Sequence, residues 1–256
     1  MKVVSIINLK GGVGKTISAI NIAHVLAEVH GKRVLLVDND KQGSVSRFFE
    51  VHSYEKPSIA DVLTVKDFPL LLEAVTETGY AHGRLDVLPA NMMLLRADKE
   101  ILLDCARPQQ TRLAKALRAV EDAYDFVIID NAPDLNMSVI NALVASHDVM
   151  IPIKIDNFAF DGVKQILEQV EEIKEGFNPD ICVAGGFVTM WQKNNVNAQG
   201  EEWLQEHALL PMLRTAIRKT VAVDETTFNR MPLLAYKPNS TAARDYEALV
   251  AEYLKL

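Results

Sequence analysis

Short apolar runs alternate along the chain with longer segments in which apolar residues recur every three or four positions. Most of the short runs are apolar at consecutive positions rather than at every second one, and they have the length of β-strands. Continuous apolar strands predict a sheet that is covered on both faces, as parallel sheets are. The runs lie at residues 3–7, 34–37, 85–88, 126–129, 149–153 and 182–188.

The longer segments predict amphipathic helices between these strands. Their alternation indicates an α/β fold, here a mostly parallel twisted sheet with helices on both faces in three layers, α/β/α. We expect a single domain over residues 1–256, in which residues 53–83 form an irregular connection with short helices. The helical stripes are Ala19, Ile22, Ala23 and Leu26; Leu113, Leu117 and Val120; Val139, Ile140 and Leu143; and Val163, Ile166, Leu167 and Val170.

Two further features concern helix ends. Gly31 follows the first stripe, at a place where the C-terminus of a helix favours glycine. Residues 246–256 predict the last helix, with Leu249, Val250 and Tyr253 packed inward. A membrane-binding tail would need a basic amphipathic face. Lys255 alone does not provide one, so we expect no membrane anchor.

Composition narrows the possible function classes. The chain has 256 residues, a formal net charge of -7, six histidines and two cysteines. Cys105 and Cys182 are too far apart in sequence for a CxxC pair, which favours a reduced cytosolic setting. An acidic chain can still bind nucleic acid through a local basic patch. No apolar run approaches the roughly 20 residues of a membrane span, and the N-terminus lacks the features of a signal peptide, so we expect a cytoplasmic protein.

Residues 10–16, Lys-Gly-Gly-Val-Gly-Lys-Thr, connect the first strand to the first helix. A glycine-rich loop at this place puts backbone N–H groups and a helix N-terminus against an anion, and so predicts a phosphate site. Lys15 would contact the β- and γ-phosphates of a nucleotide, and the Thr16 hydroxyl would face Mg²⁺. The standard GxxxxGK[ST] pattern is incomplete, because Leu9 stands where its first glycine would be and Lys10 is an extra lysine.

This variant of the loop resembles the deviant Walker A motif of the ParA/MinD ATPases. The resemblance implies ATP and Mg²⁺ as cofactors and an ATP-sandwich homodimer, in which Lys10 reaches into the partner's nucleotide site. A cation there would stabilise the charge of the transferring phosphoryl group. It implies catalytic roles for Lys10, Lys15 and Asp40. The nucleotide-binding residues of this segment are Lys10, Gly11, Gly12, Val13, Gly14, Lys15, Thr16 and Ile17.

Asp38 and Asp40 follow the second strand, and residues two apart on a strand face the same way. Both can therefore face the phosphate site at the carboxyl edge of the sheet. The segment resembles the family's DxDPQG motif, which implies that Asp40 orients or deprotonates the attacking water and that Asp38 supports the Mg²⁺ shell. Lys41 replaces the usual proline, which would alter the stiffness of the loop and adds a charge near the site.

Asp130 ends the fourth apolar run, as the aspartate of a Walker B strand does. We expect it to hold Mg²⁺ directly or through water, together with Thr16 and Asp38. The family usually continues with Thr or Cys and two prolines, and Asn131 and Ala132 depart from that pattern.

Shorter segments extend the resemblance over nearly the whole chain. Residues 88–91, Leu-Pro-Ala-Asn, and Phe160 at the entry of a later helix match the family's order of segments. By the same resemblance we expect adenine contacts near Met190 and Ile217, for which apolar packing is the alternative interpretation.

Basic residues near the C-terminus are candidates for DNA contact through phosphates. Arg214, Arg218 and Lys219 lie close together in sequence. A second basic group, Arg112, Lys115 and Arg118, shares a helix face opposite an apolar stripe, and we expect it to be a solvated helix face.

The favoured hypothesis is a ParA-like DNA-partition ATPase that binds non-specific DNA as an ATP dimer and is released when a ParB-like partner stimulates hydrolysis. The alternative is a MinD-like ATPase that positions a protein or acts on a membrane surface without DNA. An iron protein of the nitrogenase kind would need cluster-ligating cysteines, and an ATP-dependent ligase would need a substrate pocket that the sequence does not identify. Since the phosphate-loop strand begins at residue 3, we expect no N-terminal helix-turn-helix domain and no operator-specific binding.

Overall fold

The computed structural model describes residues 1–65, 70–156, 161–207 and 209–256. Strands and helices alternate through most of the chain. The strands are β1 (Lys2–Ile6), β2 (Val34–Asn39), β3 (Thr76–Glu77), β4 (Leu85–Leu88), β5 (Phe126–Asn131), β6 (Asp148–Lys154) and β7 (Cys182–Thr189). The helices are α1 (Lys15–Glu28), α2 (Ser44–Phe48), α3 (Ile59–Thr64), α4 (Leu70–Ala74), α5 (Met93–Leu103), α6 (Arg112–Leu117), α7 (Met137–Ala145), α8 (Asp161–Gly176), α9 (Asn195–His207), α10 (Val221–Asn229), α11 (Leu233–Tyr236) and α12 (Thr241–Tyr253).

The strands form one sheet in the order β3-β4-β2-β5-β1-β6-β7. Six strands are parallel, and β3 pairs antiparallel with β4 at one edge. β1 and β2 both lie beside β5, and the register between β2 and β5 puts Asp38 opposite Asp130. The carboxyl ends of these three central strands therefore meet at one edge of the sheet, where ligands of open α/β sheets bind.

Helices cover both faces of the sheet, which confirms the predicted three-layer arrangement. Alternate residues of the central strands enter different core clusters, as the two-residue period of a strand requires. Val4, Leu36 and Ile128 pack with α1 and α12 on one face. Leu35 and Ile129 pack with α3, α5 and α6 on the other face. A third cluster joins α7 and α8 to β6 on that second face.

The observed element bounds differ from the predicted ones in a few places. The irregular connection contains the predicted short helices, α3 and α4, but also the edge strand β3. The last helix begins at Thr241, five residues earlier than predicted, because the Ser240 side chain caps it by accepting a bond from the Ala243 amide at 3.2 Å. Leu249, Val250 and Tyr253 are buried as predicted. In the parts of the chain that the structure describes, no helix is long and apolar enough to cross a membrane.

Candidate nucleotide site

The phosphate loop leaves β1 and turns directly into α1. Gly12 and Gly14 have φ values of 71° and 88°, which a residue with a side chain rarely adopts. Gly14 precedes α1 without any side-chain cap. The first N–H groups of a helix have no partner within the helix. This uncapped end therefore offers N–H groups and a positive dipole to an anion.

Two side chains that the sequence did not single out hold this loop in place. Asn8 accepts a bond from the Lys10 amide at 2.9 Å and donates to the Pro152 carbonyl at 2.8 Å. Thr189, at the end of β7, donates to the Val13 carbonyl at 2.8 Å. An asparagine at a strand exit is a local turn signal that could have indicated Asn8. The Thr189 contact joins residues 176 positions apart, and no local pattern predicts it.

Lys15 lies almost buried inside the loop. Its ammonium donates to the Lys10 carbonyl at 3.0 Å. Burial lowers the pKa of Lys15, and the negative charges of Asp130, Asp40 and Asp134 oppose that shift. The lysine is therefore held among carboxylates at the predicted phosphate site, where an anionic ligand would stabilise its charged form.

Asp130 lies fully buried at the end of β5, and neither of its carboxylate oxygens has a hydrogen-bond partner among the described residues. Burial raises its pKa well above the ordinary value, and the neighbouring Asp38 adds to the rise. The Thr16 hydroxyl and the Lys15 ammonium act in the opposite direction.

Two unpaired buried oxygens facing a threonine hydroxyl fit a divalent cation. Within the described ranges, no group of three or more His, Cys, Asp or Glu side chains could hold a metal. The pair formed by the Asp130 carboxylate and the Thr16 hydroxyl nevertheless suits Mg²⁺, because this ion is usually bound by one or two carboxylates together with phosphates and water. Thr16 and Asp130 are the residues that would hold it.

Asp38 is also fully buried, but its carboxylate is well bonded. It accepts bonds from the Ser46 amide at 2.8 Å and the Ser46 hydroxyl at 2.6 Å, and a longer one of 3.3 Å from the Asp40 amide. Burial raises the pKa of Asp38 to about 6, while the bonds from Ser46 lower it. Asp38 therefore anchors the loop that carries Asp40, and a role in the Mg²⁺ shell stays a prediction.

Asp40 lies in a tight turn directly after β2. Its carboxylate accepts a bond from the Gln42 amide at 2.9 Å, and its carbonyl accepts one from the Gly43 amide at 2.8 Å. Gly43 has a φ of 64°, and a Cβ there would lie 2.8 Å from the Ala90 carbonyl oxygen. The turn is therefore sterically fixed, and it directs Asp40 towards the edge where Lys15 and Asp130 lie.

The residues predicted near adenine line one small apolar cavity beside the phosphate loop. Met190 has a φ of 54°, a strained conformation for a residue with a side chain. The Ile217 amide donates to the Val188 carbonyl at 2.8 Å, which fixes this segment against β7. Thr220 has a buried hydroxyl without a partner in the described chain. The lining residues include Gly14, Ile17, Thr189, Met190, Ile217 and Thr220.

The candidate basic residues lie exposed on the segment after β7. The Arg218 guanidinium is paired with Asp245, with Nε donating at 3.0 Å. The Arg214 amide donates to Glu252 at 2.7 Å. Nearby acidic groups therefore offset much of the positive charge that the sequence suggests. Arg218 and Lys219 also border the apolar cavity.

The other basic helix face is only partly as predicted. Arg112 is 8% exposed and its guanidinium donates to Asp104 at 2.9 Å and to the Leu63 carbonyl at 3.1 Å. The prediction of a solvated residue was wrong for Arg112, because Asp104 lies outside the helix and gives the buried cation a partly exposed partner.

Lys10 has an ion-pair partner outside the phosphate loop. Its ammonium forms an ion pair with Asp156, just after β6, and both side chains are 31% exposed. The family segment with Phe160 that follows lies outside the described residues.

Comparisons with known proteins agree with this geometry. The family model described as "AAA domain" matches residues 1–183. The sporulation initiation inhibitor protein Soj of Bacillus subtilis is 33% identical over 253 residues, covering 98% of this chain and 97% of the relative. The chromosome partitioning protein ParA of Myxococcus xanthus is 31% identical over 256 residues, covering 99% of this chain and 88% of the relative.

Solved structures share the fold over the whole chain. A cobyrinic acid a,c-diamide synthase from Mycobacterium smegmatis with a bound ATP analogue and magnesium has a TM-score of 0.83 and 28% identity, covering 100% of this chain and 95% of that one. The Cyanothece McdA(D38A)-ATP complex has a TM-score of 0.85 at 20% identity, covering 100% and 97%, which shows the fold alone. Solved neighbours of this fold contain an ATP analogue or ADP together with magnesium, in agreement with the ATP and Mg²⁺ that the sequence predicts. The chain belongs to the ParA/MinD family of P-loop ATPases.

Proposed function

We propose that this protein is a DNA-partition ATPase that dimerises on ATP, binds non-specific DNA as the dimer, and is released when a partner protein stimulates hydrolysis. The observation that carries the proposal is the convergence of four groups at one sheet edge: the Lys15 ammonium, the Thr16 hydroxyl, and the Asp40 and Asp130 carboxylates. The similarity to Soj and ParA proteins over nearly the whole chain supports the partition role.

The chemistry assigned to this edge is ATP hydrolysis. Mg²⁺ supplies charge neutralisation for the phosphates when it is bound. Lys15 and the N–H groups at the start of α1 bind and orient the β- and γ-phosphates. Asp40, held by its own turn, orients the attacking water and accepts its proton. Turnover is expected to be slow until a partner completes the site.

Lys10 supports the dimer part of the proposal. Its ammonium pairs with Asp156 of the same chain, whereas its carbonyl accepts the bond from Lys15 within the phosphate loop. To reach a second nucleotide across a dimer interface, Lys10 must leave Asp156 for a phosphate, where its charge would stabilise the transferring group.

The dimer is tested with the Asp40→Ala variant, which should hold ATP without hydrolysing it. Sedimentation velocity should show a dimer with Mg-ATP and a monomer with Mg-ADP. Adding Lys10→Ala should abolish the dimer while nucleotide affinity changes by less than about threefold, because Lys10 does not contact the nucleotide of its own chain. A Lys10→Ala protein that still dimerises with ATP would contradict the assigned role.

DNA contact is assigned to the exposed segment with Arg214, Arg218 and Lys219. Phosphate contacts depend strongly on salt, and each contact contributes a slope near 1. Replacing Arg214 and Lys219 with Ala should weaken DNA binding and lower the salt slope by about 2 per protomer, as measured by fluorescence anisotropy. Arg218 should contribute less, since Asp245 already neutralises it. A protein with this role would be cytoplasmic and associated with the nucleoid.

A further inference from the structure

Lys41, which departs from the family pattern, contacts Asp134 beside the proposed catalytic edge. Lys41 stands in the turn after β2, and Asp134 stands in the segment after β5, 93 positions later. The Lys41 ammonium donates to the Asp134 carboxylate at 3.1 Å. The other carboxylate oxygen of Asp134 is buried without a hydrogen-bond partner among the described residues. Lys41 is therefore the cation that is hydrogen-bonded to this partly buried carboxylate, and the Lys15 ammonium also acts on it electrostatically.

The ion pair extends a connection that begins inside the sheet. Asp38 and Asp130 are paired in register, and so are Asn39 and Asn131. The Asn39 side chain donates to the Asn131 side chain at 2.8 Å, and both residues are buried. Beyond the ends of the two strands, the Lys41–Asp134 pair continues this series of contacts across the same two chain segments.

The hydrogen bonds of Asp40 are local. The Asp40 carboxylate is bonded to the Gln42 amide, two residues away, and the Asp40 amide is bonded to Asp38. These bonds fix the shape of the turn. Just before the turn, the Asn39 carbonyl accepts a bond from the Ala132 amide at 3.3 Å, which fixes the end of β2 against the segment after Asp130. The Lys41–Asp134 pair extends this attachment to the turn itself, because it joins the neighbour of Asp40 to a residue four positions after Asp130.

We propose that Lys41 is a positioning residue for hydrolysis: through Asp134 it holds the Asp40 turn at a set distance from the Asp130 segment. This inference rests on the proposed ATPase function. The side chains of Lys41 and Asp134 are 29% and 40% exposed, and ion pairs with this exposure stabilise a fold only slightly. A positioning role therefore predicts a loss in turnover without a comparable loss in stability.

The test compares Lys41→Ala, Asp134→Asn, the double variant and the charge-exchanged Lys41→Asp/Asp134→Lys protein. Each single variant should lower kcat roughly tenfold, since small misplacements of a catalytic group are costly. ADP affinity, measured with a fluorescent ADP analogue, should stay within about twofold because neither residue is assigned to phosphate binding. The double variant should be no slower than the slower single variant, and charge exchange should restore at least part of the rate.

Arg33→Ala is the matched control. Arg33 pairs with Asp125 at 3.0 Å, and these residues precede the same two strands at the opposite edge of the sheet. This change also removes an exposed ion pair between the β2 and β5 segments, but it should leave kcat unchanged within about twofold.

A readout without nucleotide separates this inference from the ATPase proposal. Hydrogen exchange of the Gln42 and Gly43 amides in the nucleotide-free protein should become at least about threefold faster in Lys41→Ala and Asp134→Asn, and should slow again on charge exchange. Unchanged exchange in the single variants, or rate losses that multiply in the double variant, would overturn the positioning role. A wild-type protein that hydrolyses no ATP would instead overturn the proposed function, whatever the exchange result.

Discussion

Asp130 and Asp38 are neighbouring buried carboxylates that differ in their hydrogen bonding. Asp38 receives hydrogen bonds from Ser46 and the Asp40 amide, while both oxygens of Asp130 lack partners in the described chain. A buried carboxylate without partners is costly unless a cation compensates it. The difference supports the proposal that Asp38 anchors the loop and that Asp130 binds the cation.

Replacing Asp130 with Asn should therefore stabilise the nucleotide-free protein while impairing its function. The change removes a buried carboxyl group whose pKa is raised by burial but keeps the shape, so the free energy of unfolding at neutral pH should rise by about 1–3 kcal/mol. The Mg²⁺-dependent part of ADP stabilisation should disappear. Urea denaturation with and without Mg-ADP measures both effects, and a destabilised variant that still responds to Mg²⁺ would contradict the assignment.

Asp38 should give the nucleotide-free protein a pH-dependent stability. Its pKa is about 6 in the folded chain and about 3.9 when unfolded, so the folded state binds the proton more tightly. The stabilisation is complete below pH about 4 and is lost as the pH rises through about 6.

Between pH 5 and 7 this Asp38 contribution to the free energy of unfolding should fall by about 1 kcal/mol. Comparing urea midpoints of wild type and Asp38→Asn over that range isolates it from other titrating groups. Parallel pH profiles for the two proteins would refute the assigned shift.

Single residues were predictable from the sequence where a motif fixes their place. The glycines, Lys15, Thr16 and Asp130 follow directly from the loop and the strand end. Thr189 and Asp134 carry no such signal, because their partners are brought near by the sheet order. The burial of Arg112 was not predictable either, since it depends on Asp104 at the far side of a loop.

At the scale of elements, the pairing of β2 and β5 controls the site. Asn39 and Asn131 bond to each other inside this pair, and Asn131 also donates to the Ser5 hydroxyl on β1 at 3.2 Å. The amide pair therefore links the three strands whose ends form the nucleotide site.

Removing both members of this pair should cost less free energy of unfolding than the sum of the two single losses. Asn39→Ala or Asn131→Val leaves a buried polar group with fewer partners, at a cost of about 1–3 kcal/mol each. The double variant removes both polar side chains, so its loss should be well below the sum of the single losses. Denaturation midpoints of the three variants measure the coupling, and additive losses would show that the amides act independently.

Strands β1, β2, β4, β5, β6 and β7 were predictable because they are continuous apolar runs. Helices α1, α6, α7 and α8 were predictable because their apolar residues recur at helical spacing. The bounds were less predictable where capping decides them, as at Ser240 before α12. The edge strand β3 has two residues, and such a segment has no period to recognise. Helix α9, with mostly polar residues between Asn195 and His207, also lacks a clear apolar stripe.

At the scale of the whole molecule, an acidic protein is proposed to bind an acidic polymer. The formal net charge of -7 opposes DNA at long range, so binding needs a local basic surface. The candidate segment is short, and Asp245 and Glu252 lie against it. A dimer would present two such segments, and two linked sites bind DNA more tightly than one. ATP-driven dimerisation would therefore control DNA binding.

The most direct test is binding of the Asp40→Ala variant to non-specific duplex DNA, with Mg-ATP and with Mg-ADP, across a salt series. We expect binding with ATP only, a steep decrease as salt rises, and no binding by a Lys15→Ala control. An Asp40→Ala protein that is an ATP-loaded dimer and still ignores DNA at low salt would contradict the partition function. Such a result would favour the MinD-like alternative, an ATPase that positions a protein or acts on a membrane surface.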